Sequence, residues 1–125
     1  MTDDTAHAGA TIITPEEAHK AAGSGEVLLI DVRQPEEWKQ TGVGAGAEPV
    51  SMHLPGFAER IMELTGGDFS TPIALICASG KRSAYMAEQM TAAGFTRIMD
   101  VSEGMMGNER GPGWLRSGLP VKASE

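Results

Sequence analysis

Residues 73–86 read IALICASGKRSAYM, and this stretch decides the fold. The continuous apolar run Ile73–Ile76 predicts a strand that is covered on both faces. The only cysteine of the chain, Cys77, follows this run directly. A helix is expected over Ser83–Ala93, with Gly94 just past its end. The thiol is therefore predicted at the point where a strand ends and a helix begins.

Apolar runs and helix-start signals alternate along the rest of the chain. Thr14 followed by Pro15 marks a helix start, because threonine caps the free N–H groups and proline suits the first helical position. Further helices are expected at Pro35–Trp38 and over Gly56–Leu64. Strands are expected at Thr11–Ile13, Val27–Ile30, Arg97–Val101 and Pro49–Met52, and a loop at Gly42–Glu48. This order predicts one α/β domain over residues 11–122, with a parallel, helix-covered sheet, after a disordered tail at residues 1–10.

Composition excludes several classes of partner. The 125 residues carry a formal charge of -7, which argues against nucleic acid and anionic membranes as partners. One cysteine cannot form an internal disulfide, and the first ten residues show no signal-peptide pattern, so we expect a soluble cytoplasmic protein. We further expect a monomer or a weak dimer. Between Asp68 and Glu88 no acidic residue occurs, so an anionic ligand is best tolerated there.

The sequence around Cys77 favours a reactive thiolate. In parallel α/β sheets the ligand site lies at the carboxyl ends of the strands, where the free N–H groups of the next helix point. Those donors, the helix dipole and the cations Lys81 and Arg82 all favour a charged, nucleophilic sulfur. Gly80 and its small neighbours allow the loop amides to curl around an anion. A structural core cysteine is the alternative, but the composition of the loop favours the catalytic interpretation.

Three segments carry a family resemblance. The first is Cys77-Ala78-Ser79-Gly80-Lys81-Arg82-Ser83, the second is LIDVRQPEEW at residues 29–38, and the third is GWLRSGLPV at residues 113–121. They resemble the active-site loop C-x-x-G-x-R-S, the early I-D-V-R-x-P-x-E-aromatic segment and the closing W-x-x-x-G-x-P-V of single-domain rhodaneses, which are sulfurtransferases. The resemblance implies a single rhodanese-like domain, with a central, mostly parallel sheet of about five strands and helices on both faces.

The resemblance also implies a ping-pong reaction with Cys77 as the sulfur carrier. The thiolate takes the outer sulfur of a small anionic donor such as thiosulfate, and the resulting persulfide yields it to cyanide, a thiol or a protein cysteine. Residues 78–83 hold the persulfide through their amides, and Lys81 and Arg82 attract the donor. Neither a metal nor a cofactor is implied. The alternative is a persulfide relay or binding module that serves a protein partner and turns over little free thiosulfate.

Two further comparisons with related sequences refine the prediction. Phosphatases of the same fold resemble C-x5-R, whereas Cys77 to Arg82 spans six residues and suits a single sulfur better than a phosphoryl group. The segment Gly42–Met52 departs from the G-H-I-P-G-A-x-N-I-P pattern of many rhodaneses and lacks its histidine. We expect sulfur transfer to survive this change, while the choice of acceptor depends on it.

Other polar residues near strand ends have two interpretations each. Asp31 and Arg33 either add to the site or stabilise the loop, with Asp31 capping backbone N–H groups and Arg33 paired with a carboxylate such as Glu37. The structural interpretation is favoured for both. His53 either approaches the site or is an ordinary surface histidine, which is favoured. Ser83 is expected to cap the helix rather than to act as a nucleophile.

Overall fold

The computed structural model describes residues 10–124, so the predicted tail falls almost entirely outside the described residues. The helices are α1 (Pro15–Gly23), α2 (Pro35–Thr41), α3 (Phe57–Thr65), α4 (Lys81–Ala92) and α5 (Gly113–Arg116). The strands are β1 (Thr11–Ile13), β2 (Leu28–Asp31), β3 (Val43–Gly44), β4 (Ala47–Pro49), β5 (Ile73–Ile76), β6 (Ile98–Val101) and β7 (Val121–Lys122). None of these helices has the length and apolar character that crossing a membrane requires.

Five strands form a central parallel sheet in the order β1-β6-β5-β2-β4. Strand β5 is the middle strand and pairs in parallel with both β2 and β6. Its register places Leu75 opposite Ile30 on one side and opposite Asp100 on the other. The carboxyl ends of β2, β5 and β6 therefore meet at one edge of the sheet, and Cys77 follows the central one.

Helices cover both faces of this sheet, which confirms the predicted architecture. Successive side chains of a strand point to opposite faces. Leu29 of β2 accordingly belongs to one apolar cluster, with residues from α1, α2 and α5, whereas Ile30 belongs to a second, with residues from α3 and α4. Residues Ile73–Ile76 of β5 are all at most 1% exposed. The continuous apolar run thus reflects a strand buried on both sides.

The glycine-rich segment 42–48 is not a loop, and the strand expected at Pro49–Met52 lies earlier, at β4. Val43 and Gly44 form β3, which pairs antiparallel with β7 in a small second sheet. A Cβ atom on Gly44 would come within 2.6 Å of the Trp114 ring. Glycine is therefore needed here to let the backbone approach a buried tryptophan, and this packing could not be seen in the local sequence.

Helix starts follow the predicted signals at α1 but not at α4. Thr14 and Glu17 form a reciprocal capping box, with Pro15 at the first helical position. Helix α4 begins at Lys81, two residues before the predicted start, because Gly80 rather than Ser83 occupies the N-cap position. Gly80 has φ of 94°, a left-handed conformation that glycine adopts without strain. Ser83 consequently lies inside the first helical turn and faces the sulfur.

Candidate active site around Cys77

Cys77 lies directly after the central strand and is completely buried, with 0% exposure. Its side chain belongs to the apolar cluster between the sheet and helices α3 and α4. The loop from Cys77 to Gly80 then leads into α4. The thiol therefore occupies the position predicted from the sequence, at the carboxyl edge of the sheet, but it lies beneath the surface.

Hydrogen-bond donors of the loop point at the sulfur. The backbone N–H groups of Gly80 and Ser83 both donate to Cys77 Sγ, each with an N···S distance of 3.2 Å. The Ser83 hydroxyl oxygen lies 3.4 Å from the same sulfur. Backbone donors around one atom form a concave anion site, and hydrogen bonds to an ionised acceptor are stronger than neutral ones. The loop thus directs two backbone donors and one hydroxyl group at the sulfur.

Ser83 connects the sulfur to a buried carboxylate. Its hydroxyl donates to Asp100 Oδ1 at 2.7 Å, and Asp100 lies in β6, the strand beside β5. The thiol of Cys77 can in turn donate to the Ser83 oxygen. This chain of hydrogen bonds fixes the rotamer of Ser83, so its oxygen stays beside the sulfur. Sequence analysis missed Asp100, although an acidic residue within the apolar run IMDV was a usable signal.

The segment after β6 supports the loop from behind. The backbone N–H groups of Met105 and Met106 donate to the carbonyl oxygens of Cys77 and Ala78, at 2.8 and 2.9 Å. The Asn108 side chain donates to the carbonyl oxygens of Ser79 and Ser102, both at 2.8 Å. These carbonyl groups are thereby turned away from the sulfur, which leaves the amide N–H groups free to face it. Asn108 had no distinguishing signal in the sequence.

Gly80 is a second position that requires glycine, because its backbone lies close to Ser102. A Cβ atom on Gly80 would collide with the carbonyl oxygen of Ser102. Gly80 also has a positive φ, so a larger residue would be strained there as well as obstructed. The loop can therefore keep this shape only with glycine at position 80.

Arg82 is held by a carboxylate rather than pointing freely to solvent. Its two terminal nitrogens donate to the two carboxylate oxygens of Glu37, at 2.8 and 2.9 Å. This bidentate pair lowers the pKa of Glu37 from 4.5 to about 2, chiefly through the hydrogen bonds from Arg82. The same bonds raise the pKa of Arg82, with smaller contributions that include the charge of Cys77. The carboxylate of Glu37 therefore neutralises most of the charge of Arg82.

His53 is exposed and lies beside this pair. Its Nε2 atom is 3.3 Å from Arg82 Nη1. A guanidinium group can only donate, so in a hydrogen bond between these two nitrogens His53 is the acceptor. Lys81 is exposed as well, and it lines a cleft together with Arg110.

Asp31 and Arg33 form an ion pair inside the protein. Arg33 Nε and Nη2 donate to the Asp31 carboxylate, and Asp31 Oδ1 also accepts the backbone N–H of Arg33. Arg33 Nη2 donates further to the hydroxyl of Thr41 and the carbonyl of Gly42. Arg33 was expected to pair with a carboxylate such as Glu37; its carboxylate partner is Asp31, and Glu37 pairs with Arg82 instead. Both charges of this buried pair therefore have partners inside the protein.

Metal-binding geometry is lacking in the described part of the chain. No three histidine, cysteine, aspartate or glutamate side chains among residues 10–124 converge closely enough to hold an ion.

Comparison with known proteins agrees with this arrangement. The sequence pattern of the rhodanese-like domain matches residues 14–109. Thiosulfate sulfurtransferase 16, chloroplastic, of Arabidopsis thaliana is 34% identical over 115 residues, covering 85% of this chain and 88% of that protein. A sulfurtransferase of Allochromatium vinosum is 29% identical over 108 residues, covering 86% and 90%. Among solved structures, the polysulfide-sulfur transferase homodimer of Wolinella succinogenes is similar to this chain. The TM-score is 0.71 and the identity 26%, and the match covers 98% of this chain and 85% of that one.

The domain match covers more than half of the chain and includes the loop of Cys77. The resemblance inferred from the three sequence segments is thereby confirmed, and sulfur transfer is supported at the level of the family. This chain belongs to the family of rhodanese-like domains.

Proposed function

We propose that this protein moves a sulfane sulfur from a small anionic donor such as thiosulfate to a thiophilic acceptor, with Cys77 as the carrier. The observation that carries the proposal is that two backbone N–H groups donate to the sulfur of Cys77, the only cysteine of the chain. Two relatives are named for thiosulfate and for polysulfide, and both compounds contain sulfane sulfur.

The reaction takes two displacement steps. The Cys77 thiolate attacks the outer sulfur of thiosulfate, a new S–S bond forms on Cys77, and the old S–S bond breaks with its electron pair leaving on sulfite. A nucleophilic acceptor, either cyanide or a thiolate, then attacks the outer sulfur of the persulfide. The electron pair of that bond returns to Cys77, which restores the thiolate.

The loop performs two tasks in this scheme. Its amides, contributed from Ala78 to Ser83, stabilise the negative charge on Cys77 and on the outer sulfur of the persulfide. Lys81 and Arg82 attract the anionic donor to the loop, with Lys81 carrying the larger share because Glu37 already holds Arg82. The side chains at positions 78–80 are small, and we infer that the loop accommodates one added sulfur atom.

A relay that receives its sulfur from a protein partner is the second candidate. One observation favours it: the arginine of the loop is paired with a carboxylate, which reduces the attraction between free thiosulfate and the loop. In this candidate the persulfide on Cys77 still forms, but free thiosulfate turns over slowly.

Intact mass after incubation with thiosulfate tests the shared step. We expect an increase of one sulfur atom in the wild-type chain, which dithiothreitol removes, and no increase in Cys77→Ser. The matched control is Ser79→Ala, which keeps the sulfur and both N–H donors and should gain the atom normally. Absence of any gain with thiosulfate and with polysulfide would contradict the proposal.

Turnover with cyanide separates the two candidates. Steady formation of thiocyanate from free thiosulfate supports the enzyme. A chain that gains one sulfur atom but forms thiocyanate no faster than Cys77→Ser supports the relay.

A further inference from the structure

Asp100 is a buried carboxylate to which the reaction scheme above gives no task. It lies in β6 and is 5% exposed, and its partners in the sheet register are the apolar residues Ile12 of β1 and Leu75 of β5. Burial disfavours the charged form of a carboxyl group, so such a group takes up a proton more readily than an exposed one. A buried carboxylate close to a reactive sulfur can therefore exchange a proton with it.

One hydroxyl group lies between this carboxylate and the sulfur of Cys77. Ser83 Oγ is 2.7 Å from Asp100 Oδ1 and 3.4 Å from Cys77 Sγ, and Ser83 is completely buried. The carbonyl oxygen of Gly80 also lies within reach of this hydroxyl, at 3.2 Å. The carboxylate is the closer acceptor and carries charge, so the single hydroxyl proton of Ser83 goes to Asp100.

The position of that proton leaves the Ser83 oxygen as an acceptor towards the sulfur. A neutral thiol fits this arrangement, because its S–H group donates to the Ser83 oxygen. A negatively charged sulfur needs a donor there instead, and a hydroxyl group has only one proton to give. The thiolate and the carboxylate therefore compete for the same proton. A carboxyl group that gains a proton of its own no longer needs the one from Ser83.

We propose that Asp100, acting through Ser83, accepts the thiol proton when Cys77 is loaded with sulfur. The S–H bond breaks and its proton bonds to the Ser83 oxygen, while the former hydroxyl proton of Ser83 moves to Asp100 Oδ1. The cysteine sulfur keeps the electron pair and attacks the outer sulfur of the donor, whose S–S bond breaks with its electron pair on sulfite. The inference rests on the proposed function, because loading is the step that requires this transfer.

The loaded state then has a new set of hydrogen bonds around the same atoms. Protonated Asp100 donates to the Ser83 oxygen, and the Ser83 hydroxyl is free to donate to the loaded cysteine, beside the backbone N–H groups of Gly80 and Ser83. The proton stays inside the protein. Loading should therefore show little dependence on pH for as long as the thiol and the carboxylate share one proton.

Other charged side chains at this edge of the sheet are paired or can be controlled for. Among residues 10–124, strands β1 and β5, which flank β6, carry no titratable side chain. The charged or titratable side chains of the adjacent segments are Asp31, Arg33, Glu37, His53, Lys81, Arg82, Glu88 and Glu103. Arg33 and Arg82 are held in ion pairs with Asp31 and Glu37. Histidine is the side chain that titrates near neutral pH, so His53→Gln is a necessary control.

Infrared spectroscopy tests the proton transfer directly. The difference spectrum between the loaded protein and the protein reduced with dithiothreitol should contain the C=O band of a protonated carboxylic acid, which moves to lower frequency in D₂O. We expect this band in the wild-type chain and not in Asp100→Asn. Ser83→Ala, which interrupts the path from the sulfur, should lack the band as well and answers the question if Asp100→Asn does not fold.

The matched control for the spectrum is Glu37→Gln, which removes the carboxylate paired with Arg82 and should keep the band. A loaded wild-type chain without the band overturns the inference. A band that persists in Asp100→Asn also overturns it, because another carboxyl group then holds the proton.

The rate of loading by thiosulfate at two pH values gives a second test. In the wild-type chain and in His53→Gln, the rates at pH 6 and pH 7 should be about equal, because no proton leaves the protein. In Asp100→Asn the thiol proton must pass to solvent, so loading should be about tenfold faster at pH 7 than at pH 6. A variant that is slower than wild type by the same factor at both pH values would show a merely structural role for Asp100.

Failure of this inference and failure of the proposed function give different results. A chain that gains sulfur but shows no carboxylic acid band keeps the persulfide cycle and overturns the proton transfer. A chain that gains no sulfur from thiosulfate or polysulfide overturns the proposed function, and this inference with it.

Discussion

Two arginine–carboxylate pairs lie at the same edge of the sheet, and they differ in exposure and in use. The Asp31–Arg33 pair follows β2 and is buried, with side-chain exposures of 0% and 1%. The Glu37–Arg82 pair joins α2 to the loop of Cys77 and is 28% and 29% exposed. Both have short, multiple hydrogen bonds. Only the second contacts a residue of the sulfur loop.

The two ion pairs consist of the same chemical groups, but their surroundings give them different expected effects. Arg33 distributes its donors over Asp31, Thr41 and Gly42, so it connects β2 to the end of α2. Removing either partner leaves a charge in the core, whereas water can replace a partner of Arg82. The buried pair is therefore expected to affect folding, and the exposed pair to affect the electrostatics of the site.

The largest effect is expected from breaking the buried pair. Asp31→Asn keeps the shape of the side chain but leaves Arg33 without a countercharge, so the free energy of unfolding should fall by about 3–5 kcal/mol. Urea denaturation followed by tryptophan fluorescence measures this loss. The double variant Asp31→Leu/Arg33→Met removes both charges and should recover part of it. An exposed pair contributes about 1 kcal/mol or less. A loss of that size in Asp31→Asn would contradict the expectation that the buried pair stabilises the fold more than the exposed pair does.

A smaller, pH-dependent effect is expected from the exposed pair. The pKa of Glu37 is lowered from 4.5 to about 2 by Arg82, so the pair stabilises the fold above pH 4.5 and this contribution is lost as the pH falls towards 2. Glu37→Gln should cost about 1 kcal/mol or less near pH 6, and the difference from wild type should shrink below pH 4. Denaturation curves at pH 6, 4 and 3 measure it.

Glu36→Gln is the matched control, because Glu36 is the exposed neighbour of Glu37 and makes none of the ion pairs found among residues 10–124. Its stability should follow the wild type at each pH. A difference between wild type and Glu37→Gln that stays constant from pH 6 to pH 3 would show that the carboxylate charge has no part in it.

The smallest effect concerns the binding of the donor. Replacing both Lys81 and Arg82 with alanine should raise the KM for thiosulfate by about threefold or more and weaken its dependence on salt, because exposed charges are screened. Conversely, Glu37→Gln releases Arg82 and should lower this KM. An unchanged KM in the double alanine variant would mean that neither cation binds the donor.

The sequence was sufficient wherever a feature depends on neighbouring residues. The strand Ile73–Ile76 was predicted with its observed bounds, because four apolar residues between turn signals leave little choice. The position of Cys77 beneath amide donors followed from the strand, the small loop and the next helix. In this region the start of α4 was displaced, since Gly80 takes the cap position expected for Ser83.

Contacts between distant residues could not be predicted in the same way. Glu37 and Arg82 are 45 residues apart, and both lie in segments that the family resemblance identified separately. The pairing of Gly44 with Val121 depends on the close approach of Trp114, which only tertiary packing determines. Asn108 lies in a polar turn, where nothing local distinguishes an amide that joins two segments from an ordinary surface residue.

Complete burial of Cys77 also decides how the purified protein behaves in air. Cross-linking of two copies requires their two sulfur atoms to come within about 2.05 Å of each other, and this is prevented when each of the two lies beneath its own surface. With one cysteine per chain, no internal cross-link can form either. The chain should therefore run as a single band on a gel without reductant after prolonged storage, although its thiol is free.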